Sequence, residues 1–254
     1  MPTPRSSFAR LPGASAAGAE VERAMFHALL EPRTGSRADA VPLMLEGPAG
    51  RIESLVDVPA GAPCGLALVA HPQPLLGGSA RHKIAHLLAR AARDLGWLSL
   101  RPNFRGVGQS DGQHDRGEAE TGDLLAVIAQ MRSSHPTLPL ALIGFSFGAF
   151  VQSRVAMRLA DAGTPAACVG LAGLPVGEVE GKRSYATGPV PSGTLIVHGE
   201  LDPQVALGAI LQWARPQALP VVVVPGADHF FAGHLPALRS LFVSHLSNVP
   251  GTPR

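Results

Sequence analysis

The strongest chemical signal in the chain is a serine with a glycine two residues away on either side, Gly144-Phe145-Ser146-Phe147-Gly148. It lies where a short apolar run, LALI, gives way to the helical pattern AFVQSRVAMRLADAG. A sharp strand-to-helix turn of this kind holds a side chain up at a sheet edge, and it needs small residues close by. A serine hydroxyl is a poor nucleophile until a base takes its proton. Of ten histidines, only His71, His198 and His229 closely follow expected strands. Asp202 follows one as well, in VHGELDP; Glu200 and Asp228 are competing acids, and Asp228 also suits plain loop hydrogen bonding.

A second loop, AHPQPLLGG over residues 70–78, crowds a histidine, two prolines and two glycines behind the apolar run CGLALVA. Pro72 and Pro74 carry no N–H, so the donors available there are the amides of Gln73 and Leu75. His82 and His86 stand four apart in HKIAH, but without the glutamate of a zinc-protease helix, and read as an exposed helix face. RGVGQSDG, residues 105–112, fits neither nucleotide-binding glycine pattern; it reads as a turn anchored by the donor fork of Arg105.

These loops need elements to hold them. From residue 41, VPLMLEGPAGRIESLVDVP reads as a β-hairpin turning at GPAG. Strands and helices then alternate. Helical spacing over 79–96 puts Ile84, Leu87, Leu88, Ala91 and Leu95 on one face, with Ser79 as a start and Gly96 as a stop. Pro203 opens a later helix. Alternation of this kind predicts an α/β fold: a mostly parallel, doubly wound sheet with an antiparallel hairpin at its N-terminal edge. Sites in such sheets collect at the carboxyl ends of the strands, where the loops above fall. The interval LPVGEVEGKRSYATGPVPS, residues 174–192, is too short and too rich in Gly and Pro for a helical lid. The predicted organisation is an arm over 1–40, with room for a short helix in EVERAMFHALL, followed by one domain over 41–254.

Composition narrows the class. The chain has 254 residues, 46% hydrophobic and 16% charged, with a net charge of +2 spread along its length. That supports a sizeable core and gives no footprint for nucleic acid. No apolar run reaches the length of a membrane span. Cys64 and Cys168 each sit in an apolar run and read as buried thiols of a cytoplasmic protein.

Together HPQPLLGG, RPNFRGVGQSDG, GFSFG, VHGELDP and GADHFFAGHL resemble the α/β-hydrolase superfamily, within it the compact, lidless bacterial hydrolases related to dienelactone hydrolases and small esterases. The resemblance implies the chain order nucleophile, acid, histidine, which Ser146, Asp202 and His229 satisfy. It also implies an oxyanion hole from the N–H of Phe147 and a donor on the loop after the third strand. There the family's His-Gly-x pattern, with Pro72 in place of the glycine, points to Gln73. Dienelactone hydrolases proper use a cysteine nucleophile, and this chain has Ser146. The expected activity is a serine esterase working through an acyl-enzyme on small or soluble acyl substrates, without metal or organic cofactor. Thioesters, lactones or peptides are the alternative substrates, and a non-catalytic binding protein of the same fold is the alternative class. Leu75, Phe230 and Phe231 are the candidate substrate-contacting residues.

Overall fold

The structure, a computed structural model, describes residues 40–181 and 183–252. The expected arm and its short helix thus lie almost wholly outside the described residues. Strands Val41–Gly47 (β1) and Gly50–Asp57 (β2) form the hairpin, with Val41 opposite Val56 and Gly47 opposite Gly50. The chain continues through Gly65–Ala70 (β3), Lys83–Asp94 (α1), Trp97–Pro102 (β4), Glu118–Ser134 (α2), Leu140–Phe145 (β5), Phe147–Asp161 (α3) and Cys168–Ala172 (β6). A small hairpin follows, Gly177–Val179 (β7) and Arg183–Tyr185 (β8), then Leu195–Gly199 (β9), Leu207–Ala214 (α4), Val221–Val224 (β10) and Leu235–Ser247 (α5).

The main sheet runs β1-β2-β4-β3-β5-β6-β9-β10. β2 is antiparallel to both β1 and β4, and every later pairing is parallel. β3, β4, β5 and β6 are buried along their whole length. That is why they read as continuous apolar runs rather than alternating ones: helices cover both faces. Leu68, Leu142, Phe147, Leu124, Val151 and Ile210 belong to the core on the side of α2, α3 and α4. Val69, Ile143, Ile84, Leu88, Leu238 and Phe242 form the core on the side of α1 and α5. Each such side chain contributes about 1.5–3 kcal/mol on leaving water, and together they make the sheet a rigid platform for its loops.

Two helix starts differ from the sequence expectation. Ser79 does not cap α1, because residues 79–82 close a turn of their own through the His82 N–H and the Ser79 carbonyl. His82 is the cap, its Nδ1 accepting from Ile84 N–H at 3.3 Å. Pro203 does not open α4, which starts at Leu207. The carboxylate of Asp202 takes the N–H groups of Gln204 and Val205 at 2.8 and 2.9 Å and holds that segment as a turn.

Candidate active site

Ser146 sits between β5 and α3 with φ 54° and ψ −124°, a backbone conformation that costs a non-glycine residue about 1–3 kcal/mol. The glycines around it are required by contact. A Cβ on Gly144 would stand 2.6 Å from Ala149 Cα, and one on Gly148 would collide with the carbonyls of Ala70 and His71. The second collision shows how closely the start of α3 approaches the end of β3. The Ser146 N–H is tied to the Ala172 carbonyl at 2.9 Å, which fixes the turn to β6.

Three loops bring their side chains together at this point. Ser146 Oγ is 2.9 Å from His229 Nε2, and His229 Nδ1 is 2.6 Å from Asp202 Oδ2. The tautomer that satisfies both contacts carries its proton on Nδ1, donates to Asp202 and leaves Nε2 to accept from the serine hydroxyl. Both Asp202 and His229 are buried. Burial pushes the Asp202 carboxyl up, but hydrogen bonding and charge from His229, together with the Val205 N–H, outweigh it and hold the group below the usual carboxylate range. The other acids are engaged elsewhere: Glu200 accepts from Gly226 N–H at 2.8 Å, and Asp228 from Ala232 N–H at 2.9 Å.

The loop after β3 is anchored at both ends. His71 is fully buried; its Nδ1–H donates to the Pro72 carbonyl at 2.7 Å and its Nε2 accepts from Phe104 N–H at 3.0 Å. Burial lowers its pKa to about 3, against a partial offset from the Pro72 bond, so it stays neutral. At the far end, Ala80 N–H reaches Asn103 Oδ1 at 2.7 Å and its carbonyl accepts from Arg101 at 2.6 Å. Arg101 is itself held by Asp57, 2.8 Å away and fully buried with it. Between these anchors the Gln73 carbonyl accepts from Leu76 and Gly78. The N–H groups of Gln73 and Phe147 donate to no protein group among the described residues. Arg105 forks onto Asp123 at 2.8 and 2.7 Å, as its loop-anchoring expectation required.

A family model described as alpha/beta hydrolase fold matches residues 74–172. XC6422 from Xanthomonas campestris, an α/β serine hydrolase without lid, is 32% identical, with a TM-score of 0.75 over 88% of this chain and 100% of that one. The chain belongs to the α/β-hydrolase family. An α/β serine hydrolase homologue from Coxiella burnetii is 34% identical over 81% of this chain and 97% of its own, with a TM-score of 0.71. Protein RP471 of Rickettsia prowazekii (strain Madrid E) is 29% identical over 197 residues, 74% of this chain and 81% of RP471.

In this α/β-hydrolase the interval between β6 and β9 holds the β7–β8 hairpin and no lid domain. Two cavities near the site share Gln73 and Arg183 in their walls. The smaller, about 50 Å³, is bordered by Ser146, His229, His82, Phe230, Gln73 and Arg183. The larger, about 410 Å³, is bordered by Gln73, Leu75, Phe147, Tyr185, Arg116 and Arg183, with His114 and Ser184. Leu75 and Phe230 therefore sit where a ligand can reach them. Phe231 does not: it is fully buried in the core on the α1 and α5 side and borders neither cavity. Its backbone turns at φ 52°, which drives the ring inward while Phe230 stays exposed.

Several residues take unexpected places at the site. His82 is no exposed helix face. It borders the smaller cavity, stacks on Phe145 with centroids 5.6 Å apart, and burial lowers its pKa. His198 lies under Asp202, its Nε2 3.8 Å from Oδ2 and 2.9 Å from the Val205 carbonyl. Arg116, His114, Arg183 and Tyr185 reach the site from loops and a hairpin without a sequence motif. Among the described residues, no helix is long and apolar enough to cross a membrane.

Proposed function

We propose that this protein hydrolyses carboxylic esters of small or soluble acyl groups, with Ser146 as nucleophile, His229 as general base and acid, and Asp202 as the group that orients His229. The carrying observation is the unbroken hydrogen-bond chain from Ser146 Oγ through His229 to Asp202, on a serine held at φ 54°. Ser146 Oγ adds to the acyl carbon as His229 Nε2 takes its proton. The oxyanion is held by the N–H groups of Gln73 and Phe147, a role supported by both amides lacking an acceptor among the described residues. His229 returns the proton to the departing alcohol. Water, activated by the same nitrogen, then releases the acid and frees Ser146. Asp202 stays ionised throughout, as its lowered pKa favours, and stabilises the charged imidazole. Leu75 and Phe230 supply apolar contact to the substrate. Residues 41–254 act as one catalytic domain.

The test is labelling with a fluorophosphonate, together with turnover of 4-nitrophenyl acetate. The folded protein is expected to label at Ser146 and to release nitrophenolate, and Ser146→Ala is expected to do neither while keeping its fold. A folded wild-type protein that neither labels nor turns over would instead be a binding protein on a hydrolase scaffold.

A further inference from the structure

We infer that the larger cavity selects esters whose acyl chain ends in a carboxylate, and that Arg183 and Arg116 read that charge. The inference rests on the esterase reading above and names the substrate class within it.

The direction of the acyl chain follows from the proton path. The departing alcohol must lie against His229 Nε2, which faces the smaller cavity together with His82 and Phe230. The larger cavity borders Phe147, beside the nucleophile, and includes neither Ser146 nor His229. An acyl carbon bonded to Ser146 Oγ, its oxygen toward the Gln73 and Phe147 amides, therefore extends its chain into the larger cavity. At about 410 Å³ that space takes a chain of several carbons.

Its walls combine apolar surface with two arginines that have no acidic partner among the described residues; Arg183 also hydrogen-bonds the Tyr185 side chain. Leu75, Phe147 and Tyr185 form the apolar part. Arg183 donates to the Glu180 carbonyl at 3.2 Å, and neither Arg183 nor Arg116 has a carboxylate within 4.0 Å among the described residues. The acids beside Arg116 in sequence are committed: Asp115 Oδ2 accepts from Ala119 N–H, and buried Glu120 takes the N–H groups of Asp115 and Gly117 and faces His114. Several buried or half-buried arginines elsewhere are paired with acids, as with Arg101 and Asp57, Arg105 and Asp123, or Arg154 and Glu118. Arg116 is also held at φ 53°, a left-handed conformation that an arginine adopts only where its surroundings impose it. A carboxylate entering this space gains charge-assisted hydrogen bonds. A neutral chain of the same length does not. Arg183 borders both cavities, so it meets the acyl chain close to the reacting carbon, and Arg116 meets its far end.

The experiment compares mono-4-nitrophenyl adipate with its methyl ester, which share leaving group and chain length and differ in one charge. The readout is the ratio of kcat/KM for the charged to the neutral ester, corrected for spontaneous hydrolysis. Wild-type protein is expected to favour the charged ester roughly 10- to 100-fold, and about 0.5 M salt is expected to reduce that ratio. Arg183→Gln and Arg116→Gln are each expected to lower it, the double variant to bring it to about one, and Arg183→Lys to keep part of it. A wild-type ratio near one, or a ratio that the glutamine variants leave unchanged while the neutral ester still turns over, overturns the inference. Failure of the wild-type protein on both esters, with Ser146 unlabelled, would instead count against the esterase reading itself.

Discussion

Replacing Gln73 by proline isolates a single backbone hydrogen. The residue has φ −50° and ψ 116° and lies between two prolines. Its φ falls within proline's range, and its ψ already suits the proline that follows. The N–H removed has no acceptor among the described residues, so the fold loses no hydrogen bond with it; if anything, the stiffer unfolded chain adds up to about 1 kcal/mol of stability. What Pro and Ala both remove is the side-chain contact from Nε2 to Tyr185 Oη, long at 3.3 Å. Gln73→Ala is therefore the control. If the amide holds the developing oxyanion, its loss costs about 3–4 kcal/mol in the transition state, or 10²–10³ in kcat. The assay is kcat on 4-nitrophenyl acetate for both variants, with urea unfolding to confirm equal stability. The expected result is that Gln73→Pro falls two to three orders of magnitude below Gln73→Ala, with about the same midpoint of unfolding. Two variants within a few-fold of each other would remove Gln73 from the oxyanion hole and leave the loop as scaffold.

Other perturbations probe neighbouring groups of the site and the turn that carries Ser146. Asp202→Asn leaves the packing intact but favours the wrong histidine tautomer, and kcat is expected to fall by about 10⁴, measured on the same ester. Gly148→Ala drives a methyl group into the Ala70 and His71 carbonyls; loss of more than about 2 kcal/mol of stability is expected in urea, and a neutral result would contradict the close approach of α3 to β3. His71 binds a proton in the unfolded chain below pH 6.5, whereas in the fold it does so only below about pH 3. Its contribution to stability is therefore complete above pH 6.5 and lost as pH falls towards 3, at about 1.4 kcal/mol per pH unit, or about 2 kcal/mol by pH 5. The unfolding free energy of His71→Asn is expected to depend less steeply on pH over that range, and profiles parallel to wild type would refute the assignment.

The parallel sheet was legible because burial on both faces writes itself into the sequence as unbroken apolar runs such as GLALVA and LALIGF. The order and spacing of Ser146, Asp202 and His229 were legible because each follows a strand whose end the topology places on one edge. Helix starts were less so. Ser79 and Pro203 carry good capping or first-turn chemistry, but the turn of residues 79–82 and the carboxylate of Asp202 compete for the same amides and win. Phe230 and Phe231 could not be told apart by type; a single positive φ decides which ring goes inward. The arginines of the larger cavity were not readable at all. Arg183 arrives on a hairpin that forms no part of the main sheet, and Arg116 from a loop, so neither falls on a periodic face that a sequence pattern could reveal.

That hairpin divides the labour of the molecule in a useful way. Among the described residues, β7 and β8 pair only with each other. The segment that follows them is fastened from outside by Thr187 Oγ1 to the Pro175 carbonyl and by Trp213 Nε1–H to the Thr187 carbonyl. None of these contacts touches the serine, the histidine or the acid. Grafting over residues 177–190 would take Tyr185 away from Gln73 but leave the bonds among Ser146, His229 and Asp202 in place, so this segment is the place to begin redesigning what the protein accepts.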